Sequence, residues 1–309
     1  ANVKARFPDI PIVMGGPNIS LGDHGIEEFL RRNDFIDTYT MFSSERVFSD
    51  LVESVLGSDA GHASNSERIK NAETAGAYSL IDGQLKGLPN DDAGKELDFI
   101  PSPYLGGMLD PFLDQNMIPI FETNRGCPFS CTFCVWGISA LNKLKQFSLD
   151  RIYQELDYVT HYGMNFPHIY FADANFGILK RDVEIAEKFS QLYEETKSFS
   201  AVEMYWSKSA QPHMLDVGKA LGHLSHTYVA FQSLDPVVLE GMKRTNIGLD
   251  KLSFLIEGLK EYSHSAQTDI LLGAPGETIE SHLKSLDGVL SYGIDHIRGG
   301  EVQLLPGSE

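Results

Sequence analysis

Short apolar runs alternate with amphipathic stripes along most of this chain, the pattern of strands and helices following one another. Downstream of residue 116, six strand-like runs occupy 117–122, 168–173, 201–206, 227–232, 268–273 and 296–304. Between them Leu149, Ile152, Tyr153, Leu156 and Val159 recur at helical spacing behind Ser148, a residue suited to an N-cap. Ile185, Ala186, Phe189, Leu192 and Tyr193 form a second stripe, Leu252, Leu255, Ile256, Leu259 and Tyr262 a third, and Ile279, Leu283, Leu286 and Leu290 a fourth. Each predicts a helix that buries one face in a core. Asp235-Pro236, an N-cap followed by proline at the first helical position, starts a further helix after the fourth run. The alternation predicts an α/β fold, here a partial (β/α)6 TIM barrel over 117–309, whose reacting groups belong at the carboxyl ends of its strands.

The first 57 residues read as the carboxyl-terminal half of a doubly wound, Rossmann-like domain. Residues 12–14 are the apolar heart of a short strand closed by the turn signal Gly15-Gly16-Pro17, followed by helical 26–32, strand-like 35–39 and helical 47–56. The stretch 58–116, with its Gly, Asn, Asp and Pro clusters and Ile100-Pro-Ser-Pro-Tyr104, reads as an extended connector over the surface. The chain opens without Met and closes on VQLLPGSE directly after a strand-like run, so a longer chain is expected.

Composition narrows the class without choosing a chemistry. Of 309 residues 42% are apolar and 22% charged, ordinary globular values. No run approaches the roughly 18 apolar residues of a membrane span, and ANVKARFPDI carries no export signal, so a soluble, cytoplasmic protein is expected. Lys and Arg number 25 against 43 Asp and Glu, a net charge of -18, and the pI is near 4.9. That balance argues against a broad grip on nucleic acid or an anionic membrane.

The chemistry is concentrated in three cysteines. Cys127, Cys131 and Cys134 are the only ones in the chain and fall within the run Arg-Gly-Cys-Pro-Phe-Ser-Cys-Thr-Phe-Cys. An odd count with no distant partner argues against a disulfide scaffold. Spacings of four and then three residues let one loop aim three thiolates at a soft metal centre. Zinc would need a fourth ligand, for which His161 and His168 are available but not singled out by spacing. A cubane iron-sulfur cluster would instead keep one iron free of protein ligands. Buried cysteines acting only as small apolar residues have no reason to share one Gly- and Pro-bearing loop.

The run C-x3-C-x-aromatic-C, with Phe133 before Cys134, resembles the cluster loop of radical S-adenosylmethionine (radical SAM) enzymes. The resemblance implies a [4Fe-4S] cluster on Cys127, Cys131 and Cys134, with Phe133 beside SAM. Its open iron would bind the amino and carboxylate groups of SAM, and an electron would cleave a C–S bond to release a 5'-deoxyadenosyl radical. Residues 1–57 are similar to the end of the cobalamin-binding domain that precedes the barrel in one subfamily. There Gly15 and Gly16 are implied at cobalamin, and Ser43-Ser44-Glu45 stands for a recurrent Gly-Glu-like segment. No D-x-H-x-x-G run, which gives cobalt a lower histidine ligand in many such domains, is present: either it belongs to an amino-terminal part outside this sequence, where the family places it, or cobalamin is bound without a histidine ligand or not at all.

At the strand ends the same resemblance names SAM contacts beside structural alternatives. Asp173 and Asn175, in Asp-x-Asn-Phe-Gly, stand where the family meets the SAM amino group, or they start an Asx turn. Gln232 and Ser233 are similar to the segment that bonds the ribose or carboxylate. Gly273 and Glu277, in Gly-Ala-Pro-Gly-Glu, resemble the adenine region, with a first-turn acid as the alternative for Glu277. Trp206 and Lys208 end the third strand, either meeting substrate or, for the lysine, lying solvated beside a packed core.

The resemblance implies cobalamin-dependent methyl transfer to an unactivated carbon or phosphorus centre of a small molecule or peptide, fed by a reductant such as flavodoxin or ferredoxin. An oxidative cyclisation is the alternative within the family, and a metal or cobalamin sensor the alternative outside it. Methylthio transfer would call for a second set of cysteines.

Overall fold

The computed structural model describes residues 2–308 except 17–18, 20–21, 42–43, 58–62, 90–96, 116, 138–142, 209–210, 247–255, 259–261, 263–264 and 307. It forms two compact units, residues 1–95 with 304–309, and residues 96–303.

The first unit contains α1 (Asn2–Arg6), β1 (Val13–Gly15), α2 (Asp23–Arg32), β2 (Thr38–Thr40), α3 (Ser44–Gly57), α4 (Asn65–Lys70), β3 (Ala77–Ile81) and β4 (Gln84–Gly87). Strands β1 and β2 are parallel around α2, as a doubly wound half requires. Ile26 and Leu30 on α2 pack with Ile36 and Tyr39, while Val47 and Leu51 on α3 pack with Ile69 and Ala77. The buried Asp37 carboxylate accepts from Ile12 N–H at 2.8 Å and from Lys4 Nζ at 2.6 Å, fastening β1 beside β2.

The sheet then departs from the expected layout. It runs β1-β2-β3-β4, and its last two strands are antiparallel. Residues 65–88 are therefore part of this unit rather than an extended connector. Asp82 and Gly83 both take positive φ, 51° and 75°, the backbone of a tight two-residue hairpin turn that pairs Leu80 with Leu85. Residues 97–115 also fold back: Leu97, Tyr104 and Leu113 are buried in the core of the second unit.

That second unit comprises α5 (Asp110–Leu113), β5 (Ile120–Phe121), β6 (Asn124–Arg125), β7 (Lys145–Gln146), α6 (Leu149–Thr160), β8 (Ile169–Phe171), α7 (Asp182–Thr196), β9 (Val202–Glu203), α8 (Met214–Leu221), β10 (Thr227–Tyr228), α9 (Pro236–Gly241), β11 (Ala266–Leu272), α10 (Ile279–Ser291) and β12 (His296–Glu301). Strands β5, β8, β9, β10, β11 and β12 fall on the six expected runs. Their pairings are all parallel, in two sheets of order β5-β8-β9 and β10-β11-β12. Among the described residues no ladder joins β9 to β10.

The predicted caps are in place. Ser148 Oγ accepts from Arg151 N–H at 3.2 Å, and Asp235 Oδ1 accepts from Val237 and Val238 N–H at 2.9 and 3.2 Å, each cap contributing about 1 kcal/mol. Phe171 on β8 lies 4.9 Å from Phe189 on α7 and 5.0 Å from Phe176, ring centre to ring centre. The rings seal the helices onto the sheet. One expected stripe lies mostly outside the described residues, and another is only partly covered. Leu252, Leu255 and Leu259 lie outside the described residues, although Ile256 is buried. On α10 only part of the face is covered: Leu286 packs on the core, but Ile279 is 76% exposed and Leu283 and Leu290 are also exposed. Among the described residues β12 pairs only with β11.

Candidate functional site

The segment that joins β6 to β7, after β5, carries the cysteines and leads into a 3-10 turn at Val135–Gly137. Its path is fixed by backbone contacts. Thr132 N–H donates to Met242 O at 3.1 Å, and a Cβ on Gly137 would sit 2.4 Å from Cys131 O, so only glycine lets the loop close on itself. The result brings Cys127, Cys131 and Cys134, none in a disulfide, onto the wall of one cavity of about 410 Å³. Phe133 and Trp136 from the same loop, and Trp206 from beyond β9, line it with aromatic surface.

The donor set of three thiols suits a cubane, in which each thiolate binds a different iron and one iron stays open, whereas structural zinc takes four ligands on one ion. His161 Nδ1 bonds Asp157 O at 2.9 Å and His168 Nε2 faces Glu203 at 3.8 Å; neither lines the cavity. Burial pushes the Cys134 thiol above its ordinary value, and the neighbouring Cys127 and Cys131 push it further the same way. Three thiolates here would repel one another unless a positive centre lay between them.

Positive charge already approaches from the barrel side. Lys208, beyond β9, is 9% exposed and donates to Cys131 Sγ at 2.7 Å. Arg244, beyond α9, is 8% exposed and places Nη1 3.9 Å from the same sulfur. Burial lowers the pKa of both cations, opposed by the cysteines. Among the described residues neither has a carboxylate within ion-pair distance. The solvated lysine foreseen from the sequence is thus a buried one, and Arg244 was not singled out at all. Nothing local marks it, because its sulfur neighbour is 113 residues away in sequence.

The remaining expected contacts divide. Gln232 lines the cavity, is 8% exposed, and has a side-chain amide without a hydrogen-bond partner among the described residues. Its φ of 68° is left-handed for a residue with a side chain. Asn175 also lines the cavity, but its Nδ2 donates to Cys127 Sγ at 3.2 Å, so it supports a cysteine. Asp173 lies on the wall fully buried. Its carboxylate accepts from Thr123 N–H at 2.7 Å, Asn124 N–H at 3.2 Å and Asn124 Nδ2 at 2.9 Å, and from the Thr123 hydroxyl. With its lone pairs taken, it acts as a clasp on the strand end. Burial raises its pKa to about 7 against those hydrogen bonds.

Three expected contacts fall outside the cavity wall. Ser233 Oγ accepts from Asp235 N–H at 3.1 Å and faces Ser285 Oγ at 3.4 Å, ordering the start of α9. Gly273 N–H donates to Glu277 Oε2 at 2.6 Å, and Glu277 Oε1 meets His282 Nδ1 at 2.9 Å, so that loop is closed on itself. In the first unit, Gly15 ends β1, where a Cβ would fall 2.7 Å from Thr40 Oγ1, and Gly16 follows with φ 114° and its carbonyl held by the Tyr39 hydroxyl. Both lie at the carboxyl end of a parallel pair, the place where open α/β sheets take ligands. Pro17 and Ser43 lie outside the described residues.

Residues 121–287, more than half of the chain, match the family model described as Radical SAM superfamily. The cobalamin-dependent radical SAM methyltransferase TokK of Streptomyces tokunonensis is 28% identical over 314 residues, 98% of this chain and 44% of that protein. The 2-(S-pantetheinyl)-carbapenam-3-carboxylate methyltransferase of Streptantibioticus cattleyicolor is 28% identical over 316 residues, with the same two coverages. This chain therefore spans under half the length of these relatives. The radical S-adenosylmethionine methyltransferase TsrM from Kitasatospora setae, with tryptophan substrate and a SAM analog bound, superposes with a TM-score of 0.72 at 15% identity, over 98% of this chain and 58% of that one. At such identity the likeness is one of fold, and it bears out the expected α/β class with a partial barrel.

Proposed function

Because this chain belongs to the radical SAM superfamily, we propose that Cys127, Cys131 and Cys134 hold a [4Fe-4S] cluster and that the adjoining cavity receives SAM for cobalamin-dependent methyl transfer to an unactivated centre of a small molecule. The observation that carries the reading is the pair of buried cations, Lys208 and Arg244, facing a trio of thiols with no carboxylate within ion-pair distance of either among the described residues. Such a wall favours an anionic occupant. When bound, the cluster and SAM supply one-electron bond cleavage that no side chain provides.

The chain's own residues supply the rest. Asn175 holds Cys127 by its amide, and Lys208 and Arg244 offset the charge near Cys131. Gln232 offers an uncommitted amide to the ligand, while Phe133, Trp136 and Trp206 keep water from the reacting atoms. Methyl transfer is supported by the names of both relatives that cover nearly the whole chain, and cobalamin by the name of one of them, TokK. The end of β1, with Gly15 and Gly16, is the proposed corrinoid surface, and a low-potential flavodoxin- or ferredoxin-type protein the proposed donor.

The test is anaerobic reconstitution with iron, sulfide and hydroxocobalamin, followed by dithionite and SAM carrying a deuterated methyl group. Retained corrinoid absorption and transfer of the label to the corrinoid are expected. A loaded cluster with no corrinoid retention would leave the superfamily chemistry standing and remove methyl transfer.

A further inference from the structure

The three thiols are not treated alike by the protein. Cys127 receives an amide from Asn175 and Cys131 the ammonium of Lys208, whereas Gly137 N–H goes to the backbone carbonyl of Cys134 at 2.9 Å. That ammonium also lies 4.0 Å from the ring centre of Phe129 and touches no other polar group among the described residues. Arg244 differs. Its Nε donates to Phe231 O at 3.1 Å and to Asn246 Oδ1 at 2.8 Å, and its Nη2 reaches Ala230 O, so it anchors the backbone after β10 as well as facing Cys131. Lys208 anchors nothing. A buried ammonium with a sulfur as its one counter-charge has an electrostatic role or none.

We propose that Lys208 is a positioning and charge-compensating residue that raises the reduction potential of the cluster through Cys131. The inference rests on the cysteine assignment made above. Reduction adds one electron from a low-potential donor to a centre already anionic through its thiolates, with no bond made or broken. A fixed cation donating to a ligand sulfur in a dry site stabilises the reduced form more than the oxidised one. Lys208 thereby makes the cluster reducible by a weaker donor.

The experiment compares wild type, Lys208→Met and Lys208→Arg, each reconstituted anaerobically, assayed for iron and sulfide, and titrated with dithionite and mediators in the absence of SAM. The Met variant keeps the length of the stem without its charge. Its midpoint is expected to fall to a more negative potential at unchanged iron content, and the Arg variant is expected to return toward wild type. A loaded Met variant with the wild-type midpoint overturns the proposal, as does an Arg variant displaced as far as the Met one. Should the Met variant fail to load, loading at the wild-type midpoint in the Arg variant supports the charge role, and failure of both variants overturns it. A wild-type protein that takes up no iron overturns the cysteine assignment itself, and this inference with it.

Discussion

The loops that follow β10 and β11 leave neighbouring parallel strands at the same end, and they dispose of their polar groups in opposite ways. After β11 the Gly273 N–H is answered locally by Glu277, and Glu277 in turn by His282. After β10 the Gln232 backbone is clamped on both sides, its N–H donating to Asp269 O and its O accepting from Leu271 N–H, each at 2.8 Å, while its amide faces the cavity without a partner. The clamps sustain a left-handed φ that costs about 1–3 kcal/mol. A self-satisfied loop is architecture, whereas strain combined with an unanswered amide on a cavity wall marks a place kept for a ligand. By the same criterion Asp173 belongs with Glu277.

The comparison breaks most readily at Asp173. Asp173→Ala leaves Thr123 and Asn124 donors buried without an acceptor and is expected to destabilise the second unit by about 3–5 kcal/mol in urea melts. An unchanged melt with lost SAM binding would make Asp173 a ligand contact after all.

Asp182 sharpens it. Its Oδ2 accepts from Gly177 and Leu179 N–H at 2.8 and 3.0 Å, Oδ1 has no partner, and burial pushes its pKa from 3.8 to about 6. The folded state thus keeps a proton that the unfolded chain releases. Its stabilisation is fully present below pH 3.8 and is lost as pH rises through about 6. Asp182→Asn should flatten the fall in stability over that window by on the order of 2–3 kcal/mol, leaving the part due to Asp173, and equal slopes in both proteins would contradict the burial argument.

Gln232→Leu keeps the side chain's bulk and removes the amide. About tenfold weaker SAM binding is expected, the equivalent of one lost hydrogen bond of ~1.4 kcal/mol, with the melt unchanged. A lowered melt with intact binding would place Gln232 with the architecture. Glu277→Gln is the smallest: Gly273 N–H keeps an acceptor, so stability should change by less than about 1 kcal/mol and SAM affinity not at all.

Much of this was legible in the sequence because it is local. The cysteine loop, the caps at Ser148 and Asp235 and the six strand runs depend on residues a few positions apart. The β3–β4 hairpin was legible too, through Asp82-Gly83 following the apolar run Leu80-Ile81, but it was absorbed into the connector. Helix α8 was missed because Met214, Val217 and Leu221 span only two turns, too short for a stripe to stand out. The burial of Lys208 was not legible at all. Its sulfur partner is 77 residues away, and only the closing of strands brings the two together. Glu277 and Ser233 sit in family-like motifs, yet only their geometry shows that their oxygens are already taken.

The central claim is that three thiolates hold an iron-sulfur cube with one corner left for SAM. Its most direct measurement is electron paramagnetic resonance of the anaerobically reconstituted, dithionite-reduced protein with and without SAM, alongside iron, sulfide and zinc analysis. The account predicts iron and sulfide in equal amounts and a signal that changes when SAM is added. Tightly held zinc without sulfide, or a cluster signal indifferent to SAM, would contradict it.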